Sequence, residues 1–248
     1  MKINQNTVNG IIENAKAAQA IYAKLKLNLA DNFDKCFHLR PTGDGITVVS
    51  TLPFASMRGK NVEANELENF LQKLNNRIKK ICSVNFVESA NVLQEEFGFT
   101  IRDTDKSDLE ENIQAAFIKG MLVGQADYEG IEFVASELAL MQDYRFDVVG
   151  IKEDTLYIFE LKKDRTSKVE QVEEYVTLVN TNEKEFQNVL SVYPKLAVSG
   201  WKKVQGVMVM AHAVNVRKTI GEKAQDIGVE VWYFEPALHF VDKVRKDK

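Results

Sequence analysis

The sequence is poor in the side chains that bind soft metals or form disulfides. It has two cysteines and three histidines among 248 residues. Cys36 and Cys82 lack the close spacing of a disulfide framework or a zinc site, so each is expected to be a small buried hydrophobe. His38 and His239 have no evident partners, and His212, which ends an apolar segment, is expected to be structural. The scarcity of cysteine favours a reducing, cytoplasmic compartment.

Long apolar runs are also missing. No run approaches the roughly 20 residues that a membrane-spanning helix needs, and residues 1–10 are polar, without the apolar segment of a signal peptide. No G-x-x-x-x-G-K-[ST] loop occurs, so no intrinsic ATPase is indicated. The content of 45% apolar and 27% charged residues is typical of globular proteins. We therefore expect no association with membranes.

Charge of one sign does not dominate the chain, whose formal net charge is -4. Residues 1–100 contain 12 Lys and Arg against 10 Asp and Glu, and the remainder contains 20 against 26. A nucleic-acid partner would therefore have to be bound by a local basic patch, because the overall charge does not attract phosphate.

Residues 1–100 are predicted to form a small α+β domain of unknown role. Apolar positions repeat at helical spacing in residues 7–30 and 62–82. Between them, two apolar runs flank a stretch of turn-forming residues at 41–45, which predicts a β-hairpin. Nothing in this region predicts chemistry.

A second domain is predicted over residues 101–248. Ser107 and Glu110 fit a capping box at the start of a helix. Strand-like segments follow at 131–140, 144–151 and 155–163. The remaining segments alternate between helix and strand and occupy 167–179, 183–193, 205–211, 215–228 and 229–234. Three meander strands, then two strands reached through helices, predict an α/β (α+β) fold with a mixed central sheet flanked by helices.

Charged residues interrupt two of the apolar strands. Asp147 lies within YRFDVVGI, and Glu160, Leu161 and Lys162 lie near the end of TLYIFELKK. Because side chains alternate faces along a strand, Glu160 and Lys162 share one face. With a turn at 153–154, the residue numbers of each cross-strand pair add up to 307, so Asp147 is expected directly opposite Glu160. Two carboxylates so close repel each other unless a cation lies between them, and their oxygens suit Mg²⁺ or Mn²⁺.

Two further acidic residues are candidates for the same site. A three-residue turn at 141–143 would set Glu137 opposite Asp147, although Glu137 is alternatively an exposed strand residue. Glu110 lies at the edge of the apolar stripe of its helix and Glu111 points away from that stripe, so Glu110 is favoured. The other interpretation of Glu110 is a helix-capping role.

Several of these residues together resemble the motif of the PD-(D/E)xK nuclease superfamily. The matching residues are Asp147, Glu160, Leu161, Lys162, Gln171 and Tyr175. The last two give the Q-x-x-x-Y spacing of the branch that includes RecB-type and NucS-type nucleases. The resemblance covers roughly residues 105–236, including the order of helices and strands, and does not extend to the first 100 residues. Phe146 stands where the name of the superfamily has proline.

The resemblance implies a restriction-endonuclease-like sheet and metal-dependent hydrolysis of phosphodiester bonds in DNA, in restriction, repair or defence. Asp147, Glu160, the backbone carbonyl of Leu161 and Glu110 would bind one or two Mg²⁺ (or Mn²⁺) ions. Lys162 would orient the attacking water or stabilise the transition state. Because neighbouring carboxylates keep a lysine charged, the electrostatic role is favoured over that of a general base.

The resemblance also implies roles for residues after Lys162: the Gln171 amide and the Tyr175 phenol would bond to phosphate or to Lys162. Gln171 and Tyr175 are four apart on one helix face, which in the family borders the site; a solvent-facing surface is the alternative. Lys163, Arg165 and Lys168 cluster at the strand-to-helix turn, where they would contact the phosphate backbone. Surface lysines and arginines without such a role are the alternative for these three.

Two other functions stay open. The chain could be a catalytically inactive nuclease-fold module that binds nucleic acid or a protein partner. Alternatively, Asp147, Glu160 and Lys162 could form a structural ion network. The strandedness of the substrate, DNA against RNA, and endonuclease against exonuclease action are also undecided. Residues 1–100 could bind DNA or form a homodimer.

Overall fold

The described elements before residue 100 are arranged around a three-stranded antiparallel sheet. The computed structural model describes residues 3–25, 29, 33–51, 59–83, 86–100, 109–141, 143–162, 168–211, 217–234 and 240–244. The elements of this region are α1 (Gln5–Leu25), α2 (Phe33–Cys36), β1 (Phe37–Pro41), β2 (Ile46–Ser50), β3 (Lys60–Val62), α3 (Leu67–Ser83) and α4 (Phe86–Phe97). β1 pairs with β2 and β2 with β3. The predicted hairpin is confirmed, and β3 and α4 are additional elements.

Helix α1 connects two hydrophobic cores. Its buried residues recur three or four positions apart and are Val8, Ile11, Ala15, Ala18, Tyr22 and Leu25. The first two pack in the core of a larger sheet, and the last three pack in the core of the small sheet. The side-chain oxygen of Asn4 accepts hydrogen bonds from the backbone N–H groups of Asn6 and Thr7, at 3.1 and 3.3 Å. These bonds cap the start of the helix.

The larger sheet has six strands of mixed direction. The elements after residue 100 are α5 (Leu109–Leu122), β4 (Glu132–Met141), β5 (Tyr144–Lys152), β6 (Thr155–Lys162), α6 (Val169–Thr181), α7 (Glu183–Leu190), β7 (Lys203–Ala211), α8 (Arg217–Asp226), β8 (Glu230–Phe234) and β9 (Phe240–Val244). The strand order is β4-β5-β6-β7-β8-β9, with parallel pairing from β6 to β8 and antiparallel pairing elsewhere. The predicted fold class, a mixed central sheet flanked by helices, is confirmed. The edge strand β9 was not anticipated.

Helices cover both faces of the larger sheet. On one face, Phe117 of α5 packs against Phe159 of β6, with ring centroids 5.0 Å apart. On the other face, α6 lies very close to β7, because a Cβ atom at Gly206 would come within 2.6 Å of a methyl carbon of Val172. This close approach holds α6, the helix predicted to carry Gln171 and Tyr175, against the sheet.

Strand β1 lies beside β4 and joins the two sheets through polar contacts. His38 Nε2 and Ser136 Oγ share a buried hydrogen bond of 2.8 Å, so the expectation that His38 lacks a partner was wrong. The backbone N–H of Asn4 donates to the carbonyl of Leu140 at 3.3 Å. Cys36 is buried, as predicted. His212, His239 and Ser107 lie outside the described residues, and the division of the chain near residue 100 stays a prediction.

In the part of the chain that the structure describes, no helix is both long and apolar enough to cross a lipid bilayer.

The burial of His38 predicts that the protein loses stability in mild acid. Burial lowers the pKa of His38 well below its usual value, and the positive charges of Lys195 and Arg40 lower it further. Below pH 6.5, His38 therefore binds a proton in the unfolded chain but stays neutral in the folded chain. The free energy of unfolding consequently falls as the pH falls. Between pH 7.5 and 5.5 we expect wild type to lose about 1 kcal/mol more than His38→Gln, measured by urea denaturation. Equal losses would contradict this role of His38.

Candidate active site

The register of β5 and β6 places two carboxylates side by side. The observed pairs from Val148↔Phe159 to Lys152↔Thr155 all sum to 307, as predicted. Asp147 and Glu160 are the next positions along these strands. The backbone N–H of Leu161 donates to Asp147 Oδ2 at 2.8 Å, which fixes the Asp147 carboxylate beside β6. The two-residue turn at Glu153 and Asp154 sets this alignment, with Glu153 at a positive φ of 53°.

Burial, and to a smaller extent neighbouring negative charge, raises the pKa of both acids. Burial raises the pKa of Asp147 to about 8, and the negative charge of Glu160 adds to the effect. Burial also raises the pKa of Glu160, although its contact with Lys162 opposes the shift. Only 3% of Glu160 is exposed, so the carboxylate has little water to offset the neighbouring charge.

Lys162 supplies a positive charge beside Glu160. Lys162 Nζ donates a 2.5 Å hydrogen bond to Glu160 Oε1 and lies 3.9 Å from Glu110 Oε1. Burial would lower the pKa of Lys162, but the hydrogen bond and the charges of the neighbouring carboxylates raise it overall. Lys162 is therefore a charged group that interacts electrostatically, and it is a poor general base at neutral pH.

Helix α5 brings three polar side chains to the same place. Glu110, Glu111 and Gln114 line one cavity together with Asp147 and Glu160. Glu111 was expected to point away from the apolar stripe and nevertheless faces this cavity. Gln114 was not predicted: its Nε2 donates to the backbone carbonyl of Asp147 at 2.7 Å. Its position four residues after Glu110, on the same helix face, is the signal that would have identified it.

Glu137 joins the cavity from β4. The pairs Ser136↔Val148 and Leu138↔Phe146 place Glu137 opposite Asp147, as one of its two interpretations required. The turn differs from the predicted one, because the register shifts between Leu138 and Met141. Glu137 is half-buried, with a φ of 48°, and it forms an ion pair with Arg40 of β1. The first 100 residues thus contribute a side chain at the edge of the site.

Gln171 and Tyr175 form another wall of the cavity. Gln171 Nε2 donates to the hydroxyl of Tyr175 at 2.6 Å, and this hydroxyl donates to the carbonyl of Arg145 at 3.3 Å. Burial raises the pKa of Tyr175 to about 12, and the negative charge of Glu160 contributes. The two side chains therefore tie α6 to β5 beside the acids.

Removing the Tyr175 hydroxyl is expected to weaken this connection. Tyr175→Phe should lower the free energy of unfolding by about 1 kcal/mol, because Gln171 and the Arg145 carbonyl lose a partner. Tyr144→Phe is the matched control, since the Tyr144 ring packs against Tyr175 and the change should stay within about 0.5 kcal/mol. Urea denaturation measures both, and equal effects would show that the hydroxyl contributes nothing.

The cavity has a volume of about 480 Å³ and its described lining is mostly acidic. The lining residues are Glu110, Glu111, Gln114, Glu137, Asp143, Arg145, Asp147, Glu160, Lys162, Gln171 and Tyr175. Lys163 and Arg165, two of the predicted phosphate contacts, lie outside the described residues. Lys168 is exposed directly before α6 and is not among these lining residues. Arg145, which was not predicted, is the other cation of this lining beside Lys162.

The acids at this site suit a hard divalent cation. Glu160 Oε2 is buried and accepts no hydrogen bond from the described residues, and the donors are carboxylate oxygens, which Mg²⁺ and Mn²⁺ prefer. In the described part of the chain, however, no three His, Cys, Asp or Glu side chains form a group that could hold a metal ion. Lys162 occupies Oε1 of Glu160, so the predicted Mg²⁺ site requires that side chains rearrange.

Comparison with known proteins gives a weak structural likeness and no sequence match. No protein-family model and no curated protein matches the chain. Among solved structures, an EndoMS complex with double-stranded DNA is similar, with 22% sequence identity and a TM-score of 0.35 over 56% of this chain. The protein spans about half the length of the EndoMS chain that it matches, since the match covers 50% of that chain. A likeness of this size does not identify the activity of this protein.

Proposed function

We propose that this protein is a metal-dependent nuclease that hydrolyses phosphodiester bonds in DNA. The observation that best supports the proposal is the arrangement of Asp147, Glu160 and Lys162, which lie on two neighbouring strands and line one open cavity. A pair of repelling carboxylates beside a charged lysine suits a reaction that needs a divalent cation and develops negative charge.

The metal ligands in this proposal come from two strands and a helix. Asp147, Glu160, the carbonyl of Leu161 and Glu110 would hold Mg²⁺ or Mn²⁺. Such an ion, when bound, lowers the pKa of a water molecule and neutralises charge on the phosphate. Glu110 has a side chain that is 45% exposed, which leaves it room to change conformation. Gln114 keeps Asp147 in place through the Asp147 backbone carbonyl.

Lys162 has an electrostatic role in the proposed reaction. Its raised pKa keeps the ammonium group charged at neutral pH, so it stabilises the negative charge that develops on the phosphate oxygens. Gln171 and Tyr175 border the same cavity, and the Gln171 amide has a second N–H that can donate to phosphate, whereas the Tyr175 hydroxyl already donates to the Arg145 carbonyl. Both groups already bond to each other, so their positions are fixed before a substrate arrives.

A non-catalytic nucleic-acid-binding or protein-binding module is the second candidate. Two observations favour it: Lys162 is bonded directly to Glu160, and the described acids do not form a group able to hold a metal ion. In such a module, the same charges would serve only to stabilise the fold.

A cleavage assay separates the two candidates. The purified protein is incubated with single-stranded DNA, double-stranded DNA and RNA, each with Mg²⁺, Mn²⁺ or EDTA. We expect cleavage of DNA that needs the metal and disappears in Asp147→Asn. If wild type cuts none of these substrates under any metal condition, the non-catalytic candidate is supported instead.

A further inference from the structure

Arg145 lies close to the proposed catalytic acids. It precedes Asp147 by two residues on β5, and side chains at this spacing share one strand face. Arg145 lines the same cavity as Asp147, Glu160 and Lys162, and its side chain is exposed. The rise along a strand places its Cα atom about 7 Å from that of Asp147.

Arg145 lines a cavity whose described lining is mostly acidic. In the described residues it forms neither an ion pair nor a side-chain hydrogen bond, and its backbone carbonyl accepts the hydroxyl of Tyr175. Two acids of the cavity lining are paired with other cations, since Glu137 pairs with Arg40 and Glu160 pairs with Lys162. The main chain of Arg145 is thus fixed while its charged end faces the open cavity.

An acidic cavity must offset its own charge before it can accept a polyanion. Among the described lining residues, Arg145 and Lys162 are the two cations. Lys162 is bonded to Glu160, whereas Arg145 lies two residues before Asp147, near the start of β5. A guanidinium binds phosphate through two parallel N–H donors, which an ammonium group cannot do.

We propose that Arg145 binds a backbone phosphate next to the phosphodiester held at Asp147 and Glu160. This inference rests on the proposed nuclease function and specifies its substrate class further: the site takes a polynucleotide with a flanking phosphate on the Arg145 side. Arg145 therefore positions the strand, while Lys162 acts at the phosphate that reacts.

Binding measurements with three variants test this role. Fluorescence anisotropy of a fluorescein-labelled oligonucleotide, single-stranded and duplex, is measured in Ca²⁺ at several salt concentrations. Arg145→Gln should weaken binding about tenfold, and the slope of log affinity against log salt should fall by about one. Arg145→Lys should keep the slope and recover part of the affinity, because it retains the charge without the paired donors.

Lys152→Gln is the matched control, because it removes the same charge from the other end of β5. The inference is overturned if Arg145→Gln binds with the affinity and salt slope of wild type, or if Lys152→Gln shows the same loss. Cleavage by wild type tells this failure apart from failure of the proposed function: if wild type cuts DNA but Arg145→Gln binds normally, only the role of Arg145 is wrong. If wild type neither cuts nor binds any oligonucleotide, both proposals fall.

Discussion

Lys162→Ala is expected to reduce metal-dependent DNA cleavage by about 100- to 1,000-fold. Lys162 Nζ lies 2.5 Å from Glu160 Oε1 and 3.9 Å from Glu110 Oε1, and its pKa is raised. Without this charge, the negative charge that develops on the phosphate is stabilised less strongly. Single-turnover cleavage rates at saturating Mg²⁺ measure the effect on the chemical step.

A second lysine provides the control for this experiment. Lys203 is exposed at the start of β7, where it pairs with Thr155 at the opposite end of β6 from Lys162. Lys203→Ala should therefore cleave at the wild-type rate. Cleavage that survives Lys162→Ala at the rate of this control would remove Lys162 from the proposed mechanism, provided that the melting temperatures agree.

The second large effect concerns stability. We expect Lys195→Met to lower the free energy of unfolding by about 2–4 kcal/mol. Lys195 Nζ donates to the carbonyls of Asp34 and Phe37 at 3.0 and 2.9 Å and lies 3.3 Å from Asp34 Oδ1. It also lies 5.8 Å from the ring centroid of Tyr22. These contacts join the segment after α7 to α1 and α2, and methionine fills the space without making them.

Urea denaturation of Lys195→Met and Lys184→Met distinguishes a specific contact from a general loss of charge. Lys184 is an exposed residue of α7, so its replacement should change the free energy of unfolding by at most about 0.5 kcal/mol. Burial lowers the pKa of Lys195, although the negative charge of Asp34 raises it. The net lowering agrees with a largely buried lysine. If both variants are as stable as wild type, Lys195 does not hold these elements together.

The sequence was most informative where chain geometry restricts the outcome. The turn at Glu153 and Asp154 is only two residues long, so it determined every pair from Val148↔Phe159 to Lys152↔Thr155. The alternation of faces along β6 then placed Glu160 beside Lys162. Local spacing of this kind can be read from a sequence because few alternatives fit the same residues.

Contacts between distant segments could not be predicted. The partners of His38 and Arg40 are Ser136 and Glu137, almost a hundred positions away. No local pattern sets which strand lies beside β1, since that depends on how α1 packs across both cores. Arg145 was not predicted for a related reason. An exposed arginine has no distinguishing sequence pattern, and its place in the site is evident only from the cavity that it lines.

The positive φ of Glu137 was also unpredictable. A φ of 48° is uncommon for a residue with a side chain, and it coincides with a shift of register in β4. Arg40 pairs with Glu137 at this point, so a partner from a distant strand contributes to holding the conformation. Sequence alternation alone predicted a regular strand here.

Soaking crystals of the protein in Mn²⁺ shows whether Asp147 and Glu160 hold the proposed metal ion. Anomalous scattering then locates the ion without relying on activity. We expect a Mn²⁺ peak in contact with carboxylate oxygens of both Asp147 and Glu160, and its loss in Asp147→Asn. A crystal at saturating Mn²⁺ with no peak at these two residues, and with Lys162 still bonded to Glu160, would contradict the proposed metal site.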